Sequence, residues 1–161
     1  MSQIMPNHQS LAVCAYLSEW LPREIPISAS LGLTPLEWID DTLKLQVPLE
    51  LNRNHMHTGF GGSLYTSSLL VGWSWLHLKL KEIGFLENLH IVIQSANIQY
   101  PSPMTDDAIA ICSGVDEKAW AKFEKMFRRY GKGRLEIETH IVMNEVVTTR
   151  FVGDFVAYIQ A

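Results

Sequence analysis

Cysteine is scarce in this sequence, which contains two cysteines among its 161 residues. Cys14 and Cys112 are far apart and belong to no Cys-x-x-Cys pair, so the common zinc and dithiol motifs are excluded. Two isolated cysteines are typical of small core residues in a reducing compartment. A secretory signal is not expected either, because no Lys or Arg precedes Arg23 and no continuous apolar stretch follows the first methionine. These absences predict a cytoplasmic protein.

Charged residues are absent from Leu64 to Leu78. A helix that is apolar on nearly every face must be buried on nearly every face. The segment 61–78 is long enough to span a membrane as a helix. It contains several serines and a histidine, however, and it has no basic flank that would set an orientation. The sequence therefore predicts a central helix at about residues 61–83 that the rest of the chain wraps, and no membrane association.

The rest of the chain carries alternating helix and strand patterns. After a loose leader at residues 1–8, Ser10 is predicted to cap a helix that Pro22 ends. A second amphipathic helix is predicted to begin at Asp116-Glu117. Period-two patterns between turn signals predict strands at about residues 36–39, 42–49, 90–100, 108–115, 134–143 and 146–159. This order predicts one α+β domain over residues 1–161, with a long antiparallel sheet around the central helix.

Gly61 and Gly62 stand at the predicted start of the central helix, directly after the polar stretch 52–59. The first amides of a helix have no partner inside it and lie at the positive end of its dipole. Without Cβ atoms, these amides can approach a ligand closely and stabilise a carbonyl oxygen that gains negative charge. Asn54 can add an uncharged side-chain donor. The glycine pair is also compatible with a tight packing point, so the pattern alone leaves both interpretations open.

Three other glycine motifs do not fit this stretch. A nucleophile elbow needs a glycine where this chain has Tyr65, and a dinucleotide-binding loop needs one where it has Leu64. A phosphate-binding P-loop needs a lysine after its last glycine, and none is present. His55 and His57 could chelate a metal in an extended loop, but no further ligand lies nearby, which favours hydrogen bonding or solvation. No metal or cofactor is predicted.

Two motifs carry a resemblance to a known superfamily. Asn54 lies six residues before the triplet Phe60-Gly61-Gly62, and one strand pattern ends as Ile98-Gln99-Tyr100-Pro101-Ser102-Pro103. The chain resembles the hotdog-fold thioesterase superfamily, in which an Asn six residues before His-Gly-Gly precedes a central helix wrapped by a curved antiparallel sheet. The resemblance implies a hotdog fold, a substrate that is an acyl thioester, and a site at the start of the central helix.

The chain is most similar to a bacterial subgroup of thioesterase-like domains that occur alone or fused behind an acetyltransferase domain. The similarity extends from about Ser10 to Ile159, which leaves no room for an acetyltransferase domain, so we expect the stand-alone form. The segments that carry it are 25–28, 58–65, 72–73 and 131–134.

Three positions depart from the superfamily pattern. Phe60 replaces the usual His, Leu69 stands where many relatives carry a catalytic Asp or Glu, and Ile93 stands where some carry a water-positioning Ser. The resemblance implies hydrolysis of acyl-CoA or acyl-carrier-protein thioesters. The missing carboxylate leaves two alternatives open. One is decarboxylation of malonyl-carrier protein, which supplies an acetyl primer for fatty-acid synthesis and needs an oxyanion site but no nucleophile; the other is noncatalytic binding of acyl thioesters.

The resemblance implies a set of site residues around the helix start, and the charge of the segment 118–134 adds Arg129 and Lys132. The catalytic candidates are Asn54, Gly61, Gly62, Ser63, Ser67 and Ser68. The substrate-binding candidates are Phe60, Tyr65, Gln94, Ser95, Arg129 and Lys132.

The segment Lys118–Arg134 is strongly basic, although the whole chain has a formal net charge of −4. Such a segment is either a solvated helix face or a landing patch for coenzyme A phosphates or an acidic carrier protein, with Arg129 and Lys132 as the predicted contacts. Nucleic acid is not expected, because the aromatic residues of the segment have helix-core spacing. The resemblance also implies a homodimer, or a dimer of dimers, with the site at the interface between protomers.

Overall fold

The computed structural model describes residues 7–161, so the first six residues of the predicted leader lie outside the described residues. Over the described range the chain forms five helices and six strands. The helices are α1 (His8–Glu24), α2 (Ile27–Ser30), α3 (Leu49–Asn52), α4 (Gly61–Glu82) and α5 (Glu117–Tyr130). The strands are β1 (Thr34–Ile39), β2 (Thr42–Val47), β3 (Leu89–Gln99), β4 (Ala108–Cys112), β5 (Lys132–Met143) and β6 (Val146–Ile159).

All six strands belong to one sheet in the order β1-β2-β4-β5-β6-β3, and every neighbouring pair is antiparallel. Along β5, buried residues alternate with exposed ones, which is the pattern of a sheet with one face on the core and one in solvent. Helix α4 packs against the buried face and contacts β2, β4, β5, β6 and β3. The predicted α+β arrangement, a long antiparallel sheet around a central helix, is confirmed.

Helix α4 is buried around most of its circumference, as its lack of charge predicted. It has 22 residues and ends at Glu82, and Gly84, just after the C-cap residue Ile83, has a φ of 91° that favours glycine. At Gly72 a Cβ atom would lie 3.2 Å from Thr139 Cγ2, so glycine at this position lets the helix approach β5 closely. No helix in residues 7–161 is long and apolar enough to cross a membrane.

The boundaries of α1 differ from the prediction at both ends. Asn7, not Ser10, caps the helix, since its Oδ1 accepts a hydrogen bond from the Ser10 amide at 2.7 Å. The Ser10 hydroxyl instead accepts from the Trp38 amide at 3.0 Å and so attaches α1 to β1. The prediction that Pro22 ends the helix is wrong. Pro22 lies in the last turn, and the helix continues past it to Glu24, since the Ile25 amide bonds to the Leu21 carbonyl at 2.8 Å.

The second half of the chain follows the predicted turn chemistry. The Asp116 side chain caps α5 by accepting from the Ala119 amide at 2.7 Å, and Gly131 ends that helix with a φ of 65°. Asn144 and Glu145 join β5 to β6 with φ values of 46° and 68°, which is the geometry of a type I′ hairpin. Both cysteines are free, with Cys112 in the core and Cys14 half-buried.

His77 lies in an aromatic cluster between α1 and α4, and only 4% of its surface is exposed. The Tyr16 hydroxyl and His77 Nε2 are 2.8 Å apart, and the rings of Trp20 and Trp73 lie 4.3 and 5.3 Å from the imidazole centroid. Burial, helped by the nearby positive charge of Lys81, lowers the pKa of His77 from 6.5 to about 4. The imidazole is therefore neutral in the folded protein at neutral pH.

The pKa of His77 predicts a pH-dependent stability. Since the folded-state pKa is lower than the unfolded value, the unfolded chain binds the proton more tightly, and the stabilisation is present above pH 6.5. As pH falls from 6.5 towards 4, we expect the free energy of unfolding to decrease by up to about 3 kcal/mol from this group. Urea titrations of the wild type and His77→Gln between pH 7 and 4 should show a shallower decrease in the variant. Identical pH profiles would contradict this assignment, and an NMR titration of the His77 ring provides an independent check.

Candidate active site

The loop before α4 is a small closed turn. Arg53 and Gly59 form an isolated antiparallel bridge. Between these two residues, the backbone N–H of Asn54 donates to the Thr58 carbonyl at 2.7 Å. The Gly59 amide donates to the Met104 carbonyl at 2.8 Å, which ties the loop to the segment after β3. His57 has a φ of 60°, a left-handed conformation that completes the turn. The loop is therefore fixed to the scaffold from both sides.

The Asn54 side chain organises this turn. Its Oδ1 accepts from the Met56 amide at 2.9 Å and from the Thr58 amide at 3.1 Å, while its Nδ2 donates to Thr58 Oγ1 at 2.9 Å. The side-chain oxygen is thus fully used, and within residues 7–161 the second Nδ2–H has no acceptor. Asn54 therefore has one N–H bond that it can direct to a ligand.

The start of α4 has unused amides. Phe60 is the N-cap residue in an extended conformation, and no side chain of the described residues caps this end. The Leu64 amide makes the first helical bond, to the Phe60 carbonyl at 3.0 Å, which leaves the amides of Gly61, Gly62 and Ser63 free. These three amides lie at the positive end of a 22-residue helix, so they can stabilise an oxygen that becomes negative.

Aromatic side chains surround these amides. The Tyr100 hydroxyl donates to the Gly61 carbonyl at 2.9 Å, and the Phe60 ring covers Gly62 so closely that a Cβ there would lie 2.7 Å from Phe60 Cε1. Burial, and the neighbouring Tyr65, raise the pKa of Tyr100, so its hydroxyl is protonated at neutral pH. Tyr65 is half-buried with its ring edge-on to Phe151 at 5.5 Å. The site thus combines amide donors with an apolar rim, and 55% of Phe60 is exposed.

The three candidate serines have different surroundings. Ser63 is half-buried in the first turn of α4, next to the free amides. Ser67 and Ser68 are fully buried, and their hydroxyls contact neither solvent nor a hydrogen-bond partner among the described residues. The Ser68 carbonyl accepts from Thr139 Oγ1 at 3.0 Å, which attaches this turn of the helix to β5. Of the three hydroxyls, Ser63 alone lies within reach of a ligand at the helix start.

The two positions that depart from the superfamily pattern, Leu69 and Ile93, both carry apolar side chains. Leu69 is half-buried and packs on the core, and Ile93 does the same from β3. His55 and His57 are exposed, and residues 7–161 contain no group of three or more His, Cys, Asp or Glu side chains that could hold a metal ion. The site therefore has polarising groups without an adjacent base.

Gln94 and Ser95 lie away from this site. The Ser95 hydroxyl donates to Asp154 Oδ2 at 2.9 Å, and Gln94 accepts a hydrogen bond from Arg134. Asp154 and Arg134 alternate in sequence with the buried residues of their strands, so all four side chains lie on the solvent face of the sheet. The structure does not bring Gln94 or Ser95 to the helix start.

Arg129 and Lys132 are at the opposite end of the sheet. Lys132 pairs with Tyr158, which pairs with His90 at the beginning of β3, whereas Gly61 contacts Tyr100 just after its end. Ten strand residues separate His90 from Tyr100, a distance of about 30 Å. Within one protomer, Arg129 and Lys132 are therefore too far from the α4 amides to bind the same ligand headgroup.

A cavity of about 930 Å³ also lies at that opposite end. It separates α5 from the outward side chains of β5 and β6, and Gln94 and Lys132 line it, but the residues of the α4 start do not. Its lining carries both signs of charge, with Lys122 from α5 and with Arg134 and Glu136 from β5. Size alone does not mark the candidate active site in this protein.

Sequence reasoning missed three contributors to the site. Thr58 accepts from Asn54, Tyr100 bonds to Gly61, and Met104 anchors Gly59. The position of Thr58, four residues after Asn54, was the available signal, since Asn side chains commonly bond to backbone groups a few residues on. Tyr100 and Met104 are brought in by the segment after β3, and no local pattern specifies that contact.

Comparison with known proteins identifies a family that this chain matches. The model of the family described as "Putative thioesterase (yiiD_Cterm)" matches residues 14–159, which is nearly the whole chain. The chain belongs to this family. Membership supports a thioesterase function, and so an enzyme with hydrolase activity.

Solved structures share the architecture over nearly their full lengths. A protein of unknown function from Chlorobaculum tepidum TLS is 30% identical, with a TM-score of 0.81 over 98% of each chain. The "putative thioesterase" of Shewanella oneidensis is 24% identical, with a TM-score of 0.77 over 92% of this chain and 98% of that one. A "probable thioesterase" of Pseudomonas aeruginosa is 15% identical, with a TM-score of 0.73 over 97% and 99%. At these lower identities the likeness shows the fold alone, and the predicted hotdog fold is confirmed.

The hydrogen bonds of Asn54 predict that a substitution can remove its catalytic role and keep its structural role. In Asn54→Asp the oxygens can still accept from Met56 and Thr58, but the free N–H donor is lost and a negative charge is added to the loop before α4. We expect thioester turnover to fall by about 10² to 10³, the usual effect of removing one oxyanion donor, while thermal stability changes little.

Thr58→Val is the matched control, because it removes the acceptor of Asn54 Nδ2 without removing the amide. We expect it to lower stability by about 1 kcal/mol and to reduce turnover far less than Asn54→Asp does. Steady-state rates and melting temperatures of the two variants provide the measurement. Full activity in Asn54→Asp would exclude Asn54 as an oxyanion donor.

Proposed function

We propose that this family member hydrolyses acyl-CoA or acyl-carrier-protein thioesters at the start of α4. The observation that carries the proposal is the set of free N–H groups at Gly61 and Gly62, together with the unused N–H of Asn54 in the loop that leads into α4. The thioester carbonyl oxygen accepts from these donors and develops negative charge as water adds to the carbonyl carbon. The C–S bond then breaks, the acid is released, and the thiolate takes a proton to leave as a free thiol.

The apolar rim suits the rest of such a substrate. Phe60 and Tyr65 provide surface for the acyl or pantetheine chain, and Ser63, in the first turn of α4, provides a hydroxyl for orienting water. Tyr100 stays protonated and donates to the Gly61 carbonyl, so it supports the first turn without acting as a base. The groups assigned to the proposed reaction are therefore Asn54, Gly61 and Gly62 as donors.

Decarboxylation of a malonyl thioester is the second candidate, and the apolar side chain of Leu69 favours it. In this reaction the bond between the carboxylate carbon and the α-carbon breaks, carbon dioxide leaves, and the electron pair forms a thioester enolate that solvent protonates. The enolate oxygen needs the same donors, but the step needs neither an attacking water nor a base. Malonyl-carrier protein would then become acetyl-carrier protein, an acetyl primer for fatty-acid synthesis.

The two edges of the sheet support a homodimer. Edge strand β1 contains Pro35 and a bulge and is attached to α1, three features that discourage further pairing. Edge strand β3 also has a bulge, at Gln94, but it is longer, with 11 residues, and it contains no proline and no Asp, Glu, Lys or Arg. A long uncharged edge has a row of unpaired backbone groups, and a second copy of β3 in antiparallel register would satisfy them. A dimer of dimers remains compatible with this pairing.

The proposed dimer also gives Arg129 and Lys132 a role. Antiparallel pairing of β3 with its copy brings the His90 end of one protomer beside the Tyr100 end of the other. Lys132 is two strands from His90, about 10 Å, so the basic end of one protomer lies near the helix start of its partner. We propose that these residues bind coenzyme A phosphates, or an acidic carrier protein in the cytoplasm, across the interface.

The homodimer is tested by light scattering at micromolar concentration, where we expect twice the monomer mass. The double variant Val92→Glu with Asn97→Glu adds two carboxylates to each β3 and so places like charges along the paired edge, and we expect it to be monomeric and inactive. Leu36→Glu on β1, where the native side chain is equally exposed at 44%, should remain dimeric. A monomeric wild type would contradict the proposal.

The chemistry is tested with a panel of acyl-CoA, acyl-carrier and malonyl-carrier thioesters, assayed separately for free thiol and for carbon dioxide. Hydrolysis releases thiol from acyl substrates, and decarboxylation releases carbon dioxide from the malonyl substrate without thiol. We expect thiol release that Asn54→Asp abolishes. Carbon dioxide without thiol would establish the second candidate, and binding without either product would show a noncatalytic thioester-binding protein.

A further inference from the structure

The cavity of about 930 Å³ beside α5 lies on the solvent face of the sheet, whereas α4 packs on the other face. One wall is formed by α5 and the residues just before it, and the other by outward side chains of β5 and β6. Its volume is that of a site for a small organic ligand. Within one protomer, the sheet separates this cavity from the donors at the start of α4.

Three cationic side chains converge at one point of this cavity. Phe123 of α5 packs directly on Gly133 of β5, where a Cβ atom would lie 2.8 Å from the phenylalanine ring. Lys122 precedes this phenylalanine, Lys132 and Arg134 flank this glycine, and all three cations line the cavity. Within residues 7–161 none of the three forms an ion pair, although other lysines and arginines of the protein do. The three cations therefore favour a ligand with a phosphate or carboxylate group.

Carboxylates occupy the next positions along the same strands. Glu136 and Asp154 are direct cross-strand partners, and like charges in such a pair destabilise a sheet. Among the described residues Glu136 has neither an ion-pair nor a hydrogen-bond partner. Because α5 leads through Gly131 into β5, the first turn of the helix lies beside this later part of the strand, where the lining is small and apolar, with Val115 and Ala119. This end of the cavity therefore suits a flat ring that presents N–H donors to a carboxylate.

We propose that this cavity binds a guanine nucleotide, with its phosphates on the three cations and its base on Glu136. Guanine presents two adjacent donors, N1–H and the N2 amino group, which match the two oxygens of one carboxylate. Adenine has an acceptor, N1, next to its amino group, and would direct a lone pair at the same carboxylate. The four residues from Lys132 to Glu136 span about 13 Å along β5, a separation that an extended nucleotide can bridge.

Glu136→Gln tests the recognition of the base. A glutamine amide provides one acceptor and one donor, which match the amino group and N1 of adenine instead of the two donors of guanine. In calorimetric titrations of the full chain, we expect the wild type to bind GTP about tenfold more tightly than ATP, and Glu136→Gln to reverse this preference. A ratio of GTP to ATP affinity that Glu136→Gln leaves unchanged would show that Glu136 does not read the base.

Arg134→Gln and Lys122→Gln test the phosphate contacts. We expect each substitution to lower the affinity for GTP about tenfold and to leave the weaker binding of guanosine unchanged. Lys125→Gln is the matched control, since Lys125 is an exposed lysine of the same helix that does not line the cavity, and this variant should bind GTP as the wild type does. An equal loss in Lys125→Gln would reduce the effect to general attraction by a basic helix and refute the site.

Two titrations of the wild type decide whether the cavity is a site of its own. No binding of GTP at millimolar concentration would overturn the proposal. Coenzyme A contains adenine, so we expect it not to displace GTP. Displacement that depends on Arg134 would instead make the cavity part of the thioester site, against the proposal. Both titrations measure binding without turnover, so their results are independent of whether the protein cleaves thioesters.

Discussion

The burial of α4 is the constraint on which the rest of the structure depends. A 22-residue helix with no charged residue over its first four turns is stable only when other elements cover it, and the six-stranded sheet and α1 provide that cover. Gly72 sets how closely the sheet can approach, and the Ser68 carbonyl fixes the register through Thr139. Because the helix is held rigidly along its length, its first turn stays in one place, and that first turn carries the candidate chemistry.

Placing chemistry at a helix end explains why the site can be small and nearly uncharged. The helix backbone itself provides the dipole and the free N–H donors. The side chains therefore only have to leave these donors accessible to a ligand. Gly61 and Gly62 do this by having no Cβ, and Asn54 adds one donor from a loop that is itself tied to the segment after β3. The apolar Leu69 then limits the reactions that this donor set can support without help from other groups.

The central helix, the strands and α5 could be predicted from the sequence because their signals are local: absence of charge, period-two patterns, and caps such as Asp116 and Gly131. The start of α1 was misplaced because Asn7 and Ser10 are both good capping residues and tertiary contact with Trp38 decides between them. In the site, the amides of α4 follow from the local pattern. The separation of Gln94, Ser95, Arg129 and Lys132 from those amides does not, because it depends on which strands pair and in what register.

The hydrogen bonds of the Asn54 oxygen have a consequence for its rotational freedom. A free asparagine amide can rotate by 180° and exchange its oxygen for its nitrogen, and a ligand that needs the N–H must then select one of two orientations. Here a rotated amide would direct its NH₂ group at the Met56 and Thr58 amides, donor against donor, so only one orientation is stable. The entropy of orienting this donor is lost when the chain folds, before any substrate arrives, and the substrate binds to an N–H that already points the right way.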